Sequence, residues 1–222
     1  MKSINKVLQI TCDGGAATGK STGAKMIAKK YKLPFLSSGL LYRYASYLLI
    51  KENPINKIGF LKKKFKDLNY NKLSKINLHS PKISEYSAEI AKKLEIREIL
   101  KRYQLNFIKK NKSCVLEGRD ASTKILPSSD LKFFFVCNLN IAARRRYKEL
   151  KKNNGKINFI TVKKALKLRN LADTTRRHSK LTMHKNAVVV DTGKLNKRAM
   201  IAKMSKYVER ILKRKNGSRA RN

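Results

Sequence analysis

Residues 14–21 carry the sequence G-G-A-A-T-G-K-S, which satisfies the phosphate-loop template G-x-x-x-x-G-K-[ST]. Glycine at both ends lets backbone N–H groups turn inward around a polyphosphate. Lys20 can reach the β- and γ-phosphates, and the Ser21 hydroxyl can complete the coordination of Mg²⁺ that those phosphates hold. The pattern predicts a nucleoside triphosphate site. Its predicted residues are Gly14, Gly15, Ala16, Ala17, Thr18, Gly19, Lys20, Ser21 and Thr22.

Arginine and acidic side chains in later segments could bind a second phosphate-bearing ligand. A planar guanidinium pairs bidentately with phosphate, and a carboxylate accepts from a ribose hydroxyl or an exocyclic amine. Arg169, Asp173 and Arg176 share one helix face at i, i+4 and i+7. The other candidates are Ser38, Arg43, Arg97, Arg119, Asp120, Arg144, Arg145 and Arg146.

Strands must position these groups, because ligands of an open parallel sheet bind beyond the carboxyl ends of its strands. Short apolar runs predict strands at residues 7–12, 34–37, 113–116, 131–137 and 187–191. Helical spacing lies between them, so the sequence predicts an α/β fold with a parallel sheet and helices on both faces. The F-F-F-V-C run at 133–137 suits a strand buried on both sides and belongs in the sheet centre.

Helical periodicity is clearest at residues 22–31, 84–107, 142–152 and 161–172, with Gly155 in a turn between the last two. Between residues 50 and 84, Asn, Pro and Gly interrupt the pattern, and we expect a small insertion there without a long element. The basic end at 213–222 lacks periodicity and is expected to fray.

Composition limits the possible classes. With 222 residues and 41% hydrophobic content, the chain can form one α/β core plus a small insertion. No run approaches about 18 apolar residues, and no signal-peptide pattern opens the chain, so we expect a cytoplasmic protein without a membrane span. The three cysteines, Cys12, Cys114 and Cys137, lie in apolar contexts and are interpreted as buried thiols.

The formal net charge of +40 points first to polyanionic partners. The lysines, however, are spread over every segment, and Asn and Ile are also frequent, which favours a general compositional bias over a dedicated nucleic-acid surface. Either origin predicts non-specific RNA adhesion at low salt.

Seven motifs, which occur along the chain in the order of one protein family, make a resemblance to that family specific. The chain resembles the bacterial cytidylate kinases, of the nucleoside monophosphate kinase family, from about residue 7 to residue 192. The matching patterns are D-G-P-x-x-x-G-K-[GS]-T at 13–22, [DS]-[ST]-G-x-x-Y-R at 37–43, V-R-E-x-L at 96–100, E-G-R-D at 117–120, A-x-R-R-Y-K-E-L at 143–150, R-D-x-x-D-x-x-R at 169–176 and D-A-x-x-[IL]-D-T at 186–192.

This resemblance implies a five-stranded parallel sheet of the P-loop NTPase type, a shortened NMP-binding insertion and a helical lid. It implies one NMP-kinase domain over 1–222, with its core at 1–50, 84–141 and 185–212. The insertion would cover about 51–83, the lid about 142–184 and the basic tail 213–222. The implied ligands are ATP, Mg²⁺ and CMP or dCMP, and we expect a monomer.

The resemblance also assigns roles. Lys20, Arg119 and Arg176 would be catalytic. The phosphate of CMP would be held by Arg43, Arg119 and Arg176. Arg169 and Asp173 would contact the ribose hydroxyls. Arg97 and Asp120 would contact the cytosine edge, with Ser38 nearby. The lid would contribute Arg144, Arg145 and Arg146.

Five positions depart from the family pattern: Ser37 for Asp, Ala142 for Arg, Ser122 for Gly, Asn170 for Asp and Lys180 for Pro. Two alternatives stay open on the sequence. One is a P-loop kinase for another acceptor, such as AMP, UMP or shikimate. The other is a basic RNA-binding protein that keeps the kinase fold.

Overall fold

A computed structural model describes residues 7–153 and 157–217 of the chain. Five parallel strands form its sheet in the order β2-β3-β1-β4-β5. Their bounds are β1 Gln9–Gly14, β2 Phe35–Ser37, β3 Cys114–Gly118, β4 Leu131–Val136 and β5 Val188–Asp191. All five predicted strands are confirmed. The β1 strand lies two residues later than predicted and β3 runs two residues further, which brings Glu117 into the strand.

Eight α-helices connect the strands within the described residues. They are α1 Lys20–Lys30, α2 Ser38–Glu52, α3 Lys57–Lys66, α4 Pro81–Ile90, α5 Leu94–Lys110, α6 Leu139–Asn153, α7 Phe159–Thr175 and α8 Lys197–Gly217. A short 3₁₀ helix covers Tyr70–Lys75, and a single π turn covers Ala121–Ile125.

The segment between residues 50 and 84 is more helical than predicted. The α3 helix runs through Gly59, whose N–H donates to the capping Asn56 side chain at 2.8 Å. The long periodic stretch 84–107 is two helices, because α4 ends at Ile90 and α5 begins at Leu94. The prediction of one continuous helix was wrong, because the apolar spacing continues across the short connection between the two helices.

Two other expectations are corrected in part. The basic end is helical as far as Gly217, where α8 ends, rather than frayed from residue 213; residues 218–222 and the predicted Gly155 turn lie outside the described residues. Cys12 and Cys114 are buried, but Cys137 is only partly buried. Its Sγ lies 3.6 Å from a guanidinium nitrogen of Arg145, at the end of β4.

Apolar packing covers both faces of the sheet. In β3, Cys114 and Leu116 join a cluster with α2, α3 and α5, whereas Val115 joins a cluster with α1 and α8. Successive strand residues point to opposite faces, so the alternation places helices on each side. The β4 strand lies between β1 and β5, and β1 is the central strand, so the predicted central position of the aromatic run was wrong. Phe133 and Phe135 are almost fully buried, whereas Phe134 is only partly buried. Within the two described ranges, no helix combines the length and apolar character that a membrane crossing needs.

Candidate functional site

The predicted phosphate loop connects β1 to α1, as its motif requires. Gly14 has φ 152°, and a Cβ built there would lie 2.5 Å from the carbonyl oxygen of Phe135. Gly19 has φ 81° and caps the first turn of α1. Both positions therefore require glycine, and the N-terminus of α1 supplies N–H groups and the positive end of a helix dipole beside the loop.

Lys20 is buried beneath this loop, with 5% of its surface exposed. Its Nζ donates to the carbonyl oxygen of Gly15 at 3.1 Å and lies 3.5 Å from Oε1 of Glu117. Burial, assisted by the positive charge of Arg119, lowers the pKa of Lys20 to about 7, while the carboxylate of Glu117 acts in the opposite direction. The side chain is thus a poorly solvated cation next to a main-chain cradle for anions.

Glu117 is a functional candidate that the sequence predictions missed. It is fully buried at the carboxyl end of β3, where Ser37 donates a hydrogen bond to it. Burial raises the pKa of Glu117, but the charge of Lys20 and the hydrogen bonds from Ser37 and Ser21 hold it below its ordinary value. A carboxylate at the end of the strand next to β1 was the available signal, since it falls beside the loop in a parallel sheet.

The second predicted set lines a small cavity beyond the carboxyl ends of the strands. Arg119 donates through Nε to Asp173 at 2.8 Å, and Nη1 of Arg176 lies 3.4 Å from the same carboxylate. The cavity measures about 40 Å³. Its lining contains seven of the eight predicted acceptor residues: Ser38, Arg97, Arg119, Asp120, Arg169, Asp173 and Arg176.

Arg43, the eighth, is not among the cavity-lining residues but lies beside them. Its Nη1 donates to the carbonyl of Leu78 at 3.1 Å and to Oγ of Ser84 at 2.6 Å. Burial, with the neighbouring positive charges of Arg169 and Arg146, lowers the pKa of Arg43 to about 9. An arginine in this state gains from any anion that comes within reach.

Arg169 on α7 is likewise a partly buried arginine with other arginines nearby. Its Nη1 donates to the carbonyl of Ser84 at 3.2 Å, while its Nε is buried and has no hydrogen-bond partner among residues 7–153 and 157–217. Burial and the charge of Arg119 lower the pKa of Arg169 to about 10, although Asp173 opposes the shift. A buried donor without a partner is costly, so the site is arranged for an acceptor that a ligand would bring.

At the far end of the cavity, Arg97 and Asp120 form a buried ion pair. Arg97 also donates to the carbonyl of Ala91 at 3.1 Å, and its guanidinium lies 5.7 Å from the ring centroid of Tyr42. The π turn that follows Asp120 is anchored by Asp13 of β1, which accepts from the N–H of Ser122 at 2.7 Å and from its hydroxyl at 2.6 Å. Burial raises the pKa of Asp13 despite these bonds.

The three predicted lid arginines do not act as a group. Arg145 donates to Oγ1 and to the carbonyl oxygen of Thr192, at 2.9 and 2.7 Å. Arg146 pairs with Glu149 at 2.9 Å and donates to Ser84 at 3.1 Å, whereas Arg144 is exposed. Consecutive helix positions point about 100° apart, so adjacent arginines reach different surroundings.

The lid itself is docked on the phosphate loop. Ala16 packs in one apolar cluster with Ala142 and Ala143 of α6 and Leu166 of α7. The buried Ala142 stands where the family pattern has arginine, and packing against the loop takes the place of that charge. The N–H of Ala16 also donates to Oδ1 of Asn170 on α7 at 2.9 Å.

A larger cavity, of about 460 Å³, lies on the other side of Tyr42 and Arg97. It is formed by α5, the π turn and the loop after α7, and of the predicted site residues only Arg97 lines it. The predicted chemistry is therefore gathered around the smaller cavity.

Comparison with known proteins agrees with this geometry. The family model described as cytidylate kinase matches residues 10–210. A cytidylate kinase of Bartonella tribocorum is 36% identical, covering 94% of this chain and 97% of that protein. The cytidylate kinase of Thermosipho melanesiensis is 32% identical, covering 92% and 95%.

Solved structures support the fold alone. An uncharacterized protein from Eubacterium ventriosum aligns with a TM-score of 0.54 at 16% identity, covering 92% of this chain and 99% of that one. A shikimate kinase from Bacteroides thetaiotaomicron aligns with a TM-score of 0.50 at 11% identity, covering 91% and 98%.

Proposed function

Because the chain belongs to the cytidylate kinase family, we propose that it transfers the γ-phosphoryl group of ATP to CMP or dCMP, giving CDP or dCDP and ADP. The observation that carries this proposal is the short span between the two halves of the site. Nζ of Lys20 lies 3.5 Å from Glu117 in β3, and Arg119 of the acceptor cavity follows Glu117 by two residues. The charge of Arg119 accordingly lowers the pKa of Lys20. Two phosphate-binding side chains whose charges interact are well placed to bind two phosphates that react with each other.

On the donor side, the loop residues from Gly14 to Thr22 would hold the ATP phosphates through main-chain N–H groups. Lys20 would leave the carbonyl of Gly15 and turn its charge to the β- and γ-phosphates. A buried ammonium gains more from an anion than a solvated one does, because little water competes for it.

The donor site also fits Mg²⁺. Ser21 and Glu117 supply hard oxygen atoms that are hydrogen-bonded to each other beside the loop, and Mg²⁺ prefers such oxygens together with phosphate and water. When bound, the ion would neutralise charge on the β- and γ-phosphates. Ser21 is the ligand proposed from the motif, and Glu117 would orient it.

On the acceptor side, Arg119, Arg176 and Arg43 would hold the phosphate of CMP. The carboxylate of Asp173 keeps Arg119 and Arg176 on one side of the cavity, at 2.8 and 3.4 Å, where both guanidinium groups line the space that the phosphate would enter. Arg169 and Asp173 would contact the ribose.

The Arg97–Asp120 pair, with Ser38 nearby, would bind the cytosine edge. A carboxylate accepts from the exocyclic amine of cytosine, whereas uracil presents an acceptor at the same position. Asp120 is held from two directions, by Arg97 and through the anchored π turn, so its carboxylate can discriminate between the two bases.

The reaction requires little covalent help from the protein. The residues on both sides would align an oxygen of the acceptor phosphate with the γ-phosphorus and stabilise charge on the transferring group. The docked α6 and α7 would keep water from the γ-phosphate and so prevent loss of ATP by hydrolysis. One NMP-kinase domain over 1–222, with the insertion and lid as predicted, working as a cytoplasmic monomer, belongs to the same proposal.

A coupled ADP-release assay with CMP, dCMP, UMP and AMP tests the proposal. We expect turnover that CMP and dCMP stimulate most strongly. Preference for AMP or UMP would indicate a P-loop kinase for another acceptor. Absence of turnover, together with tight RNA binding in moderate salt, would indicate the basic RNA-binding alternative.

A further inference from the structure

Asn170 occupies a position between the two nucleotide sites that no motif role explains. It follows Arg169 on α7 and precedes Asp173 by less than one turn, so the same helix carries two residues of the acceptor cavity. Asn170 itself contacts the donor side, where its Oδ1 accepts from the N–H of Ala16 at 2.9 Å. One helix thus touches both halves of the site at adjacent positions.

The loop is shaped to admit this contact. A Cβ built on Gly15 would lie 3.1 Å from Oδ1 of Asn170, a distance tighter than most Cβ contacts. Glycine at position 15 therefore lets the side-chain amide come close to the main chain of the loop. Ala16 has 8% of its surface exposed and packs on Leu166 of the same helix, so the bond lies beside an apolar contact that shields it from water.

We propose that Asn170 is a positioning residue for phosphoryl transfer. Its bond to the N–H of Ala16 fixes the distance between the loop that holds the donor phosphates and the helix that carries Arg169 and Asp173. Transfer requires the acceptor oxygen and the γ-phosphorus to meet at a separation of about 3 to 3.5 Å, and small errors in that separation lower the rate steeply. The proposal rests on the kinase function proposed above.

The side chain of Asn170 accepts this hydrogen bond through Oδ1, so substitutions that remove or keep an acceptor oxygen test the proposal. Asn170→Ala removes the acceptor, whereas Asn170→Asp keeps an oxygen that the N–H of Ala16 can still reach. The matched control is Leu171→Ala, the next residue on α7, whose side chain is 57% exposed.

The first measurement does not depend on activity. Amide hydrogen exchange at Ala16, followed by NMR on the full-length protein, should be slow in the unmodified protein, in Asn170→Asp and in Leu171→Ala. In Asn170→Ala it should accelerate by about tenfold or more, as expected for loss of one partly shielded hydrogen bond. Thermal melting of each variant shows whether the whole fold has weakened instead, since global unfolding would also raise exchange in the interior strand β4.

The second measurement separates kcat from KM. We expect Asn170→Ala to lower kcat with CMP by about tenfold, with a smaller change in KM for CMP. Asn170→Asp should keep kcat within about threefold and lose mainly in KM for ATP, because its charge would lie near the γ-phosphate. Leu171→Ala should match the unmodified protein.

Three results would overturn the proposal: equal kcat in Asn170→Ala and Leu171→Ala, no recovery of kcat in Asn170→Asp, or rapid exchange at Ala16 in the unmodified protein. A rise in kcat in Asn170→Ala would also overturn it, since the contact would then restrain the loop rather than position it. Failure of the proposed function is distinct, because it would appear as absence of CMP-stimulated turnover in the unmodified protein.

Discussion

The donor and acceptor halves of the site are built from different parts of the chain in different ways. The donor half is one uninterrupted stretch, Gly14 to Thr22, in which main-chain groups would do most of the binding. The acceptor half draws side chains from α2, α5, the end of β3 and α7, which are far apart in sequence. A contiguous main-chain site depends on local backbone geometry, whereas a site of dispersed side chains depends on the whole fold.

The two halves also differ in charge. The donor half buries one cation, Lys20, against one carboxylate, Glu117. In the acceptor half, the arginines outnumber the carboxylates that pair with them, and the pKa values of Arg43 and Arg169 are lowered to about 9 and about 10 by burial and neighbouring positive charge. The acceptor half therefore has the greater need for an anion, and the phosphate of the proposed nucleoside monophosphate substrate would supply one.

The largest expected effect is on the donor half. Lys20→Ala removes the buried cation and should lower kcat with CMP by about a thousandfold, in line with removal of one preorganised donor from a dry site. Lys29→Ala, an exposed lysine on the same helix, is the control. A coupled ADP-release assay measures both. If Lys20→Ala kept the rate of Lys29→Ala, the loop would not be the donor site.

The acceptor half should respond in a different kinetic parameter. Arg119→Lys keeps the charge but loses the planar fork that can bind phosphate and Asp173 together, so kcat/KM for CMP should fall about a hundredfold. KM for ATP should change much less. The exposed Arg102→Lys on α5 is the matched control. An equal rise in both KM values would show that the two halves are not separable in this way.

Within the acceptor half, the base end should respond separately from the phosphate end. Asp120→Asn replaces an acceptor by an amide that can also donate to uracil, so the preference for CMP over UMP in kcat/KM should fall about tenfold. Glu95→Gln, the same type of substitution at an exposed residue of α5, provides the control. An unchanged preference would remove Asp120 from the role of reading the base.

The last expected effect is on stability and not on turnover. Burial raises the pKa of Asp173, but the charge and hydrogen bond of Arg119 more than offset this rise. The resulting pKa of Asp173 is below its ordinary value. The ion pair thus contributes stability above the unfolded pKa of about 3.9, and the contribution disappears as pH falls through the lower folded value. Asp173→Asn should cost about 2 kcal/mol at pH 7 and less at pH 3.

Urea unfolding at pH 7, 5 and 3 measures this difference, with the exposed Asp67→Asn as control. A cost that stayed the same at pH 7 and pH 3 would mean that packing, rather than charge, makes Asp173 important to the fold.

The comparison also explains what the sequence could predict. The five strands and the loop follow from local patterns, so their prediction succeeded to within two residues. The break between α4 and α5 was missed because Ile90 and Leu94, four residues apart, continue a helical apolar spacing across it. Glu117 was missed as a site residue because its role depends on β3 lying next to β1, which is a property of the sheet order and not of the segment.

The lid arginines illustrate the same limit from the other direction. Arg144, Arg145 and Arg146 form one motif in sequence, yet the helix directs them to solvent, to Thr192 and to Ser84. Asn170 was noted only as a departure from a pattern, and its contact with Ala16 becomes visible only when α7 is placed over the loop.

The acceptor cavity of about 40 Å³ has room for about one water molecule, far less than a nucleotide needs. Arg169 on α7 and Arg146 on α6 both donate to Ser84 of α4 and so tie these helices together. In the proposed reaction, entry of CMP and release of CDP would therefore each require α7 to separate from α4. The rate of this helix separation would set an upper limit on the turnover number, however fast the chemical step is.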